Sequence, residues 1–409
     1  MTARVREFLG LKRNIILLLL AMTLIGLGEE MWMRFLPKYL QSLGAGLFVI
    51  GLFDALKTLL GALYAYPGGI AVDRWGHRRA LMVFNLLSIL GCGLVLVVPH
   101  WGAVIAGMFL FLAWSCFSLP ATFSLIGASL PADKHTMGVG VQSLIKRLPI
   151  LLGPVAGGIL IDHRGVVEGV RLALAVSIGL ALFAMLAQRR IEEDCERGGG
   201  APSPSHGFLR LVREFSPELK HLLLSDILIR FCERIPYAWV VIYAMDHVGV
   251  SATQVGILTA VEMLTAILCF IPTSWLADRY GKEPFVVATF IFFTLFPIML
   301  WFSHSYLFLI LAFVVRGFKE FGDPARKALI ISYAPAASRG RVIGAYYLIR
   351  DAAVTAGAFL GAWLWQFGPG MNFLCAAAVG ALGAIFYVAT PGMKTCKIIS
   401  RREEPFQKR

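Results

Sequence analysis

Twelve stretches of this chain are apolar over roughly the 20 residues that a helix needs to cross a bilayer, and most are joined by only a few residues. They run over 14–38, 47–72, 80–99, 102–130, 137–161, 169–188, 220–245, 252–277, 284–303, 305–333, 341–366 and 371–391. Few folds are open to such a chain. The connections leave no room for a separate soluble domain. Strands of a transmembrane barrel would be about 10 residues long with strict alternation, and none of the stretches reads that way. Residues are 58% hydrophobic and 15% charged, against about a quarter charged in a soluble domain. The pattern predicts an all-α integral membrane protein of twelve transmembrane helices.

A net charge of +13 invites a nucleic-acid reading, which its placement opposes. With the N-terminus in the cytoplasm, twenty-four Lys and Arg fall in the N-terminal tail, residues 73–79, Lys134, 189–220, 278–284, 335–341 and the C-terminal tail. The outer loops then hold only Lys38, Arg164 and Arg171. This asymmetry is the positive-inside rule and predicts that both termini are cytoplasmic. The first apolar run lacks a small-residue cleavage site and reads as a retained span. Seven cysteines are scattered with no C-x-x-C pair, which supports neither a disulfide framework nor a thiolate metal site. No cofactor and no metal are expected.

The sequence also repeats itself. At an offset of 205, YPGGIAVDRWGHRR (Tyr66–Arg79) falls on IPTSWLADRYGKEP (Ile271–Pro284). Pro67 then meets Pro272, Asp73 meets Asp278 and Gly76 meets Gly281. At 204, Pro120 meets Pro324, Gly153 meets Gly357 and Gly157 meets Gly361. A constant offset of half the chain predicts two pseudo-symmetric six-helix bundles of the same topology, with a transport site between them. Residues 1–188 and 220–409 would be the bundles, the latter with a cytoplasmic tail. The charged, Gly/Pro/Ser-rich 189–219 would be a cytoplasmic linker, and GFLRLVREF within it a candidate interfacial helix.

The loop GGIAVDRWGHRRAL resembles the signature between spans 2 and 3 of the major facilitator superfamily, at Gly69, Asp73, Arg74, Gly76 and Arg78. A degenerate copy stands at Asp278, Arg279 and Gly281. The resemblance implies that this cluster holds a cytoplasmic gate; topology alone is the plainer reading of its charges. Span 5 carries Gly140, Gly153, Pro154, Gly157 and Gly158, similar to the superfamily's antiporter motif, with Pro149 in place of its middle glycine. Such motifs mark drug–proton exporters, although small residues also serve ordinary close packing. One departure stands out. Exporters of this type usually carry an arginine in span 4, where this chain has no charge; the arginine appears in span 10 instead, as Arg316, and Leu112 holds the repeat-equivalent position.

Eleven Lys or Arg and nine Asp or Glu lie within the spans. Facing lipid at mid-depth, each basic or Asp side chain would cost roughly 2.5–3.5 kcal/mol on insertion scales, so they must face one another or a wet cavity. Asp226, Arg230, Glu233, Arg234 and Tyr237 fall on one helical stripe of span 7. Arg316, Lys319, Glu320, Asp323, Arg326 and Lys327 share a face of span 10, and Glu30, Arg34 and Lys38 step by four in span 1. In the superfamily, spans 1, 4, 7 and 10 line the cavity. This implies substrate contact for Trp32, Arg34, Arg230, Arg234, Tyr237, Arg316 and Lys319. Glu29, Glu30, Glu233 and Glu320 are the candidate proton carriers, since no histidine lies within a span. Superfamily pairing of span 2 with 11 and span 5 with 8 implies an interdomain gate. It would set Asp54 and Lys57 against Arg350 and Asp351, and Glu262 against Lys146 or Arg147. Static pairing between the halves is the alternative for this set.

The reading is a secondary active transporter, not an enzyme, that exports a small organic molecule by proton-coupled alternating access. The alternative is a uniporter or proton symporter of a polar or anionic metabolite. The expected partners are a small-molecule substrate, protons and the lipid bilayer, with no nucleic acid. The protein is expected to act as a monomer in a bacterial inner membrane.

Overall fold

The structure is a computed structural model that describes residues 13–116, 135–191, 215–334 and 339–389. Among these residues all regular structure is helical. The first half holds α1 (Arg13–Met33), α2 (Leu36–Ser42), α3 (Leu47–Trp75), α4 (His77–Val97), α5 (Trp101–Phe111), α6 (His135–Arg164) and α7 (Val166–Arg189). The second holds α8 (Pro217–Arg234), α9 (Trp239–Asp246), α10 (Ala252–Tyr280), α11 (Glu283–Trp301), α12 (Tyr306–Gly317), α13 (Asp323–Tyr333), α14 (Arg339–Trp365) and α15 (Pro369–Ala389). These fall into twelve successive stretches, of which the second half of span 4, 117–130, lies outside the described residues. Seven described helices are individually long and apolar enough to cross a membrane, and twelve crossings accord with the succession.

Several spans are broken. Span 1 is α1 and α2, parted by a turn at Arg34 and Phe35. Span 7 is likewise α8 and α9. Span 10 is α12, one 3₁₀ turn at Phe318–Glu320, and α13. Of the expected span 7 stripe, Asp226, Arg230, Glu233 and Arg234 lie on α8 and Tyr237 in the turn after it, whereas the span 10 set is divided among α12, the 3₁₀ turn and α13. Discontinuous spans of this kind build binding sites in transporters, because irregular backbone at membrane depth survives only beside a cavity or within protein.

The duplication is visible in the backbone. Glycines with positive φ pair across the halves: Gly44 (79°) with Gly249 (77°), Gly76 (79°) with Gly281 (93°), and Gly165 (79°) with Gly368 (105°). The signature loop turns from α3 into α4 at Gly76, in the left-handed region where a Cβ is penalised. Its repeat does the same at Gly281.

The chain parts into two compact units, Met1–Ser203 with Ala238–Met263, and Pro204–Tyr237 with Leu264–Arg409. The core of the first joins Leu18, Ala21 and Ile25 of α1, Ala80, Leu81 and Phe84 of α4, and Ala181 and Ala184 of α7. In the second, Leu219 and Leu222 of α8 pack with Val286 and Phe290 of α11, Val342 and Tyr346 of α14, and Tyr387 of α15. Buried amides tie helices together. Asn85 donates to the Ala181 carbonyl at 2.9 Å and Asn372 to that of Gly361 at 2.8 Å. Leu182, Phe183 and Leu186 on α7, and Leu374, Leu382 and Ile385 on α15, are exposed apolar faces fit for acyl chains. Five of the cysteines are described, and all five are free.

Candidate functional site

In the first unit the site begins with missing side chains. A Cβ on Gly157 would strike the Met31 backbone, and one on Gly153 would lie 2.6 Å from the Glu30 Cβ. Gly28 is pressed on Ser177, and Gly26 on the Pro149 ring. The glycines let α1 lie backbone to backbone against α6 and α7, so that α1 carries charged side chains at mid-span without being pushed into lipid.

Around these residues is a cavity of about 220 Å³. Its polar wall is Glu29, Glu30, Lys57, Lys146 and Ser115; its apolar wall is Met22, Met33, Trp114, Pro149 and Ile150. The Ser115 hydroxyl lies 2.6 Å from both carboxylate oxygens of Glu29, as donor to that group. The charges of Glu30, Lys57 and Lys146 bear on Glu29 as well. Lys57 and Lys146, placed in the interdomain set by their repeat positions, thus stand in the same cavity as the opening glutamates. Sequence reasoning did not single out Ser115. Its signal was a lone hydroxyl in the apolar run FLAWSCF, one residue beyond Trp114.

Other expected residues lie elsewhere in this unit. Trp32 is 1% exposed and packs edge-on against Phe111 with ring centroids 5.0 Å apart. Arg34 falls in the turn after α1. Asp54 and Glu262 are buried, and Arg147 donates to the Met263 sulfur at 3.6 Å. At the other end of α6, Asp162 caps the start of α10. Its oxygens accept from the Ala252 and Thr253 amides at 2.8 and 2.9 Å. Partial burial pulls the Asp162 carboxyl up, but the Thr253, Ser251 and Ala252 hydrogen bonds outweigh it and hold it below the usual carboxylate range. Gly158 and Gly256 bring the two helices together there: a Cβ on Gly158 would meet Ala252 backbone, and one on Gly256 the Pro154 backbone. Nearby in sequence, Asp246 at the end of α9 pairs with Lys38 and accepts from Gln41 at 3.1 Å.

The second unit holds an ion network. Asp226, with no exposure, pairs with Arg326 and accepts from the Tyr346 hydroxyl at 3.1 Å; Arg350 approaches it at 3.5 Å and Arg230 at 3.9 Å. Arg326 also pairs with Asp323, and Lys327 holds the other Asp323 oxygen at 2.7 Å. Glu233 takes Arg230 at 2.7 Å and Lys319 at 3.0 Å. Arg350 binds its neighbour Asp351 at 2.7 Å. Arg234 and Arg316 both lie over the Tyr237 ring, at 4.7 and 5.9 Å, and Arg316 also over Phe296 at 4.8 Å. Glu320 sits in the 3₁₀ turn.

Of the signature loop, Arg74 and Arg78 are exposed, and Arg279 stacks on Trp275 at 5.6 Å. The side chains of Asp73 and Asp278, with Gly69 and Gly140, lie outside the described residues. Among the described residues no group of three or more His, Cys, Asp or Glu could hold a metal ion.

Membrane-length apolar helices with an internal repeat and charges gathered within the spans are the marks of a secondary transporter. The Major Facilitator Superfamily matches the chain twice, over residues 18–225 and 222–408, and the chain belongs to it. It is a multi-pass integral membrane transporter, not an enzyme. Among its relatives, Multidrug resistance protein MdtG of Escherichia fergusonii is 25% identical over 414 residues, covering 96% of both chains. MdtG of Escherichia coli O1:K1 / APEC is 27% identical over 397 residues, covering 92% of this chain and 93% of its own. Of solved structures, the nucleoside transporter NupG superposes with a TM-score of 0.74 at 12% identity, over 92% of this chain and 99% of that one. A POT family transporter in complex with 5-aminolevulinic acid gives 0.73 at 16% identity, over 92% and 95%. At such identities these two likenesses speak for the fold alone.

Proposed function

We propose that the protein exports a small organic molecule from the cytoplasm in exchange for protons, by alternating access in a bacterial inner membrane with both termini cytoplasmic. The observation that carries the reading is Glu29, held by Ser115 in a cavity it shares with Glu30 and two lysines. A carboxylate in such a place can exchange a proton as its neighbours change, which is what coupling requires. The MdtG relatives, named for multidrug resistance, support export. Glu233 has two cation partners within 3.0 Å, a setting that favours a fixed charge. Glu29 is therefore the coupling residue, and Glu30 its companion in binding. The interdomain gate and the signature-loop gate belong to the same proposal.

The test is transport in right-side-out and inverted vesicles with and without a pH gradient, over a compound panel. Glu29→Gln should abolish gradient-driven transport and keep substrate counterflow. Normal gradient-driven transport by that variant would move the coupling site to Glu233 or Glu320. A second reading, a uniporter or symporter of an anionic metabolite, draws on the two guanidinium groups gathered on Tyr237. Accumulation of an organic anion in right-side-out vesicles would favour it.

A further inference from the structure

Two neighbouring helices of the first unit carry matching faces toward lipid. Helices α4 and α7 are each long and apolar enough to cross a membrane, and as spans 3 and 6 they run antiparallel. Asn85 of α4 donates to the Ala181 carbonyl at 2.9 Å and to the Gln188 side chain at 3.2 Å, which registers the two helices. Asn85 stands level with the midpoint of these partners. Counting back along α4 while α7 runs on then brings Arg79 level with about Arg190.

Each helix has an exposed apolar stripe that ends in arginine. On α4 it is Leu90, Leu86 and Val83, closed by exposed Arg79. On α7 it is Leu182 and Leu186, closed by exposed Arg189 and Arg190. From Asn85 the α4 stripe lies about 100–160° around its helix, and from Ala181 the Gly179–Arg189 stripe lies about 80–160° around α7. In an antiparallel pair the same sense of rotation turns both stripes to the same side of the seam. A hollow of about 390 Å³ runs from Gly179 to Arg189, and a Cβ on Gly179 would meet nothing within 4 Å. Gly179 to Arg189 is about 15 Å of helix, and Arg79 to Leu90 about 16 Å. Half of a ~30 Å hydrocarbon core is about 15 Å. Each stripe is therefore one leaflet deep, with its arginines at headgroup level.

The matching partner has acyl chains one leaflet long and a negative head. Guanidinium forks fit phosphate oxygens, and basic groups at a span's end attract anionic lipid. A zwitterionic phospholipid fits the stripes but sets an ammonium beside the arginines. A second copy of the chain would repeat its own arginines across a two-fold contact. We infer that this face of α4 and α7 binds an anionic phospholipid, its phosphate on Arg79, Arg189 and Arg190 and an acyl chain in the hollow beside Gly179. The site is separate from the Glu29 cavity and stands whether or not transport is coupled to protons.

The experiment is native mass spectrometry of the full chain in detergent, with stepwise addition of phosphatidylglycerol, phosphatidylethanolamine or phosphatidylcholine carrying the same acyl chains. Phosphatidylglycerol should be retained at least about tenfold more tightly than the other two, about 1.4 kcal/mol. The double variant Arg79→Gln, Arg189→Gln should erase that preference. Arg171→Gln, at the opposite end of α7, should keep it. Gly179→Leu should weaken phosphatidylglycerol binding by filling the hollow. Equal binding of the three lipids would overturn the inference, as would a preference that survives the double variant or one that Arg171→Gln erases equally. So would a lipid-free dimer, which would give the face to a second copy. The acidic run Glu192, Glu193 and Asp194 that follows in the sequence is the intrachain competitor for these arginines. A phosphatidylglycerol preference that appears only when those three are made Gln, Gln and Asn would also overturn the inference.

Discussion

Replacing Asp226 with asparagine removes a negative charge from a position with no exposure to solvent. Breaking a buried ion pair from one side typically costs about 3–5 kcal/mol, because the partner charge is left buried. The geometry places the change near the low end. Each arginine that loses Asp226 keeps another carboxylate: Arg326 has Asp323, Arg350 has Asp351 at 2.7 Å, and Arg230 has Glu233 at 2.7 Å. The amide oxygen can still accept from Tyr346. Asp226→Asn should therefore cost about 3 kcal/mol. Arg326→Gln should cost about 4 kcal/mol, since Asp226 would then rely on Tyr346 and on arginines no nearer than 3.5 Å. The double variant should cost about 2 kcal/mol less than the sum, as residues in one network do not add. Reversible SDS unfolding in mixed micelles, followed by tryptophan fluorescence, measures all three. Asp226→Asn within about 1 kcal/mol of wild type, or strict additivity, would refute the view that this network carries stability.

Three further outcomes follow from the helix crossings and the Asp162 cap. Gly157→Ala should lower stability by roughly 1–3 kcal/mol by forcing a methyl into the Met31 backbone, whereas Gly46→Ala, with open space around it, should leave the same unfolding curve unchanged. Ser115→Ala removes the hydroxyl shared by both Glu29 oxygens and should slow gradient-driven export about tenfold, the worth of roughly 1.4 kcal/mol, in the vesicle assay. Asp162→Ala should cost about 0.5–2 kcal/mol, as loss of an N-cap does, and raise hydrogen exchange at Ala252 and Thr253. Since Asp162 sits below the ordinary value near 3.9, its contribution is complete above about pH 4 and is lost only as pH falls through the lower folded value. Exchange protection from this cap should therefore be level between about pH 5 and 8.

The helical membrane architecture was legible because bilayer thickness imposes a length on every apolar run, and the repeat because glycine turns at Gly76 and Gly281 cannot drift. The breaks in spans 1, 7 and 10 were missed. The motif SDILIRFCERIPYAWV reads as a continuous stripe by periodicity, yet Pro236, like Pro37 and Pro324 beside the other two breaks, was the available signal. Glu29 and Glu30 stood out because charge is costly in lipid. Ser115 did not, because a hydroxyl in a span is cheap and common. The carboxylates of spans 7 and 10 were visible as charges, but their partners were not. Periodicity places residues on a face and says nothing of which arginine of a neighbouring helix reaches Asp226.

Helix α10 belongs to both compact units: residues 252–263 go with the first and 264–280 with the second. At its start it is capped by Asp162 and held in place by Gly158 and Gly256. From Ala252 to Pro272 it is about 30 Å of unbroken helix at 1.5 Å per residue. Rigid over that length, a tilt of about 5° at its first turn carries the backbone at Pro272 through roughly 2.6 Å, about half of a helical turn's pitch. A stiff rod with one end clamped works as a lever, and the residues that set its pivot are Asp162, Gly158 and Gly256.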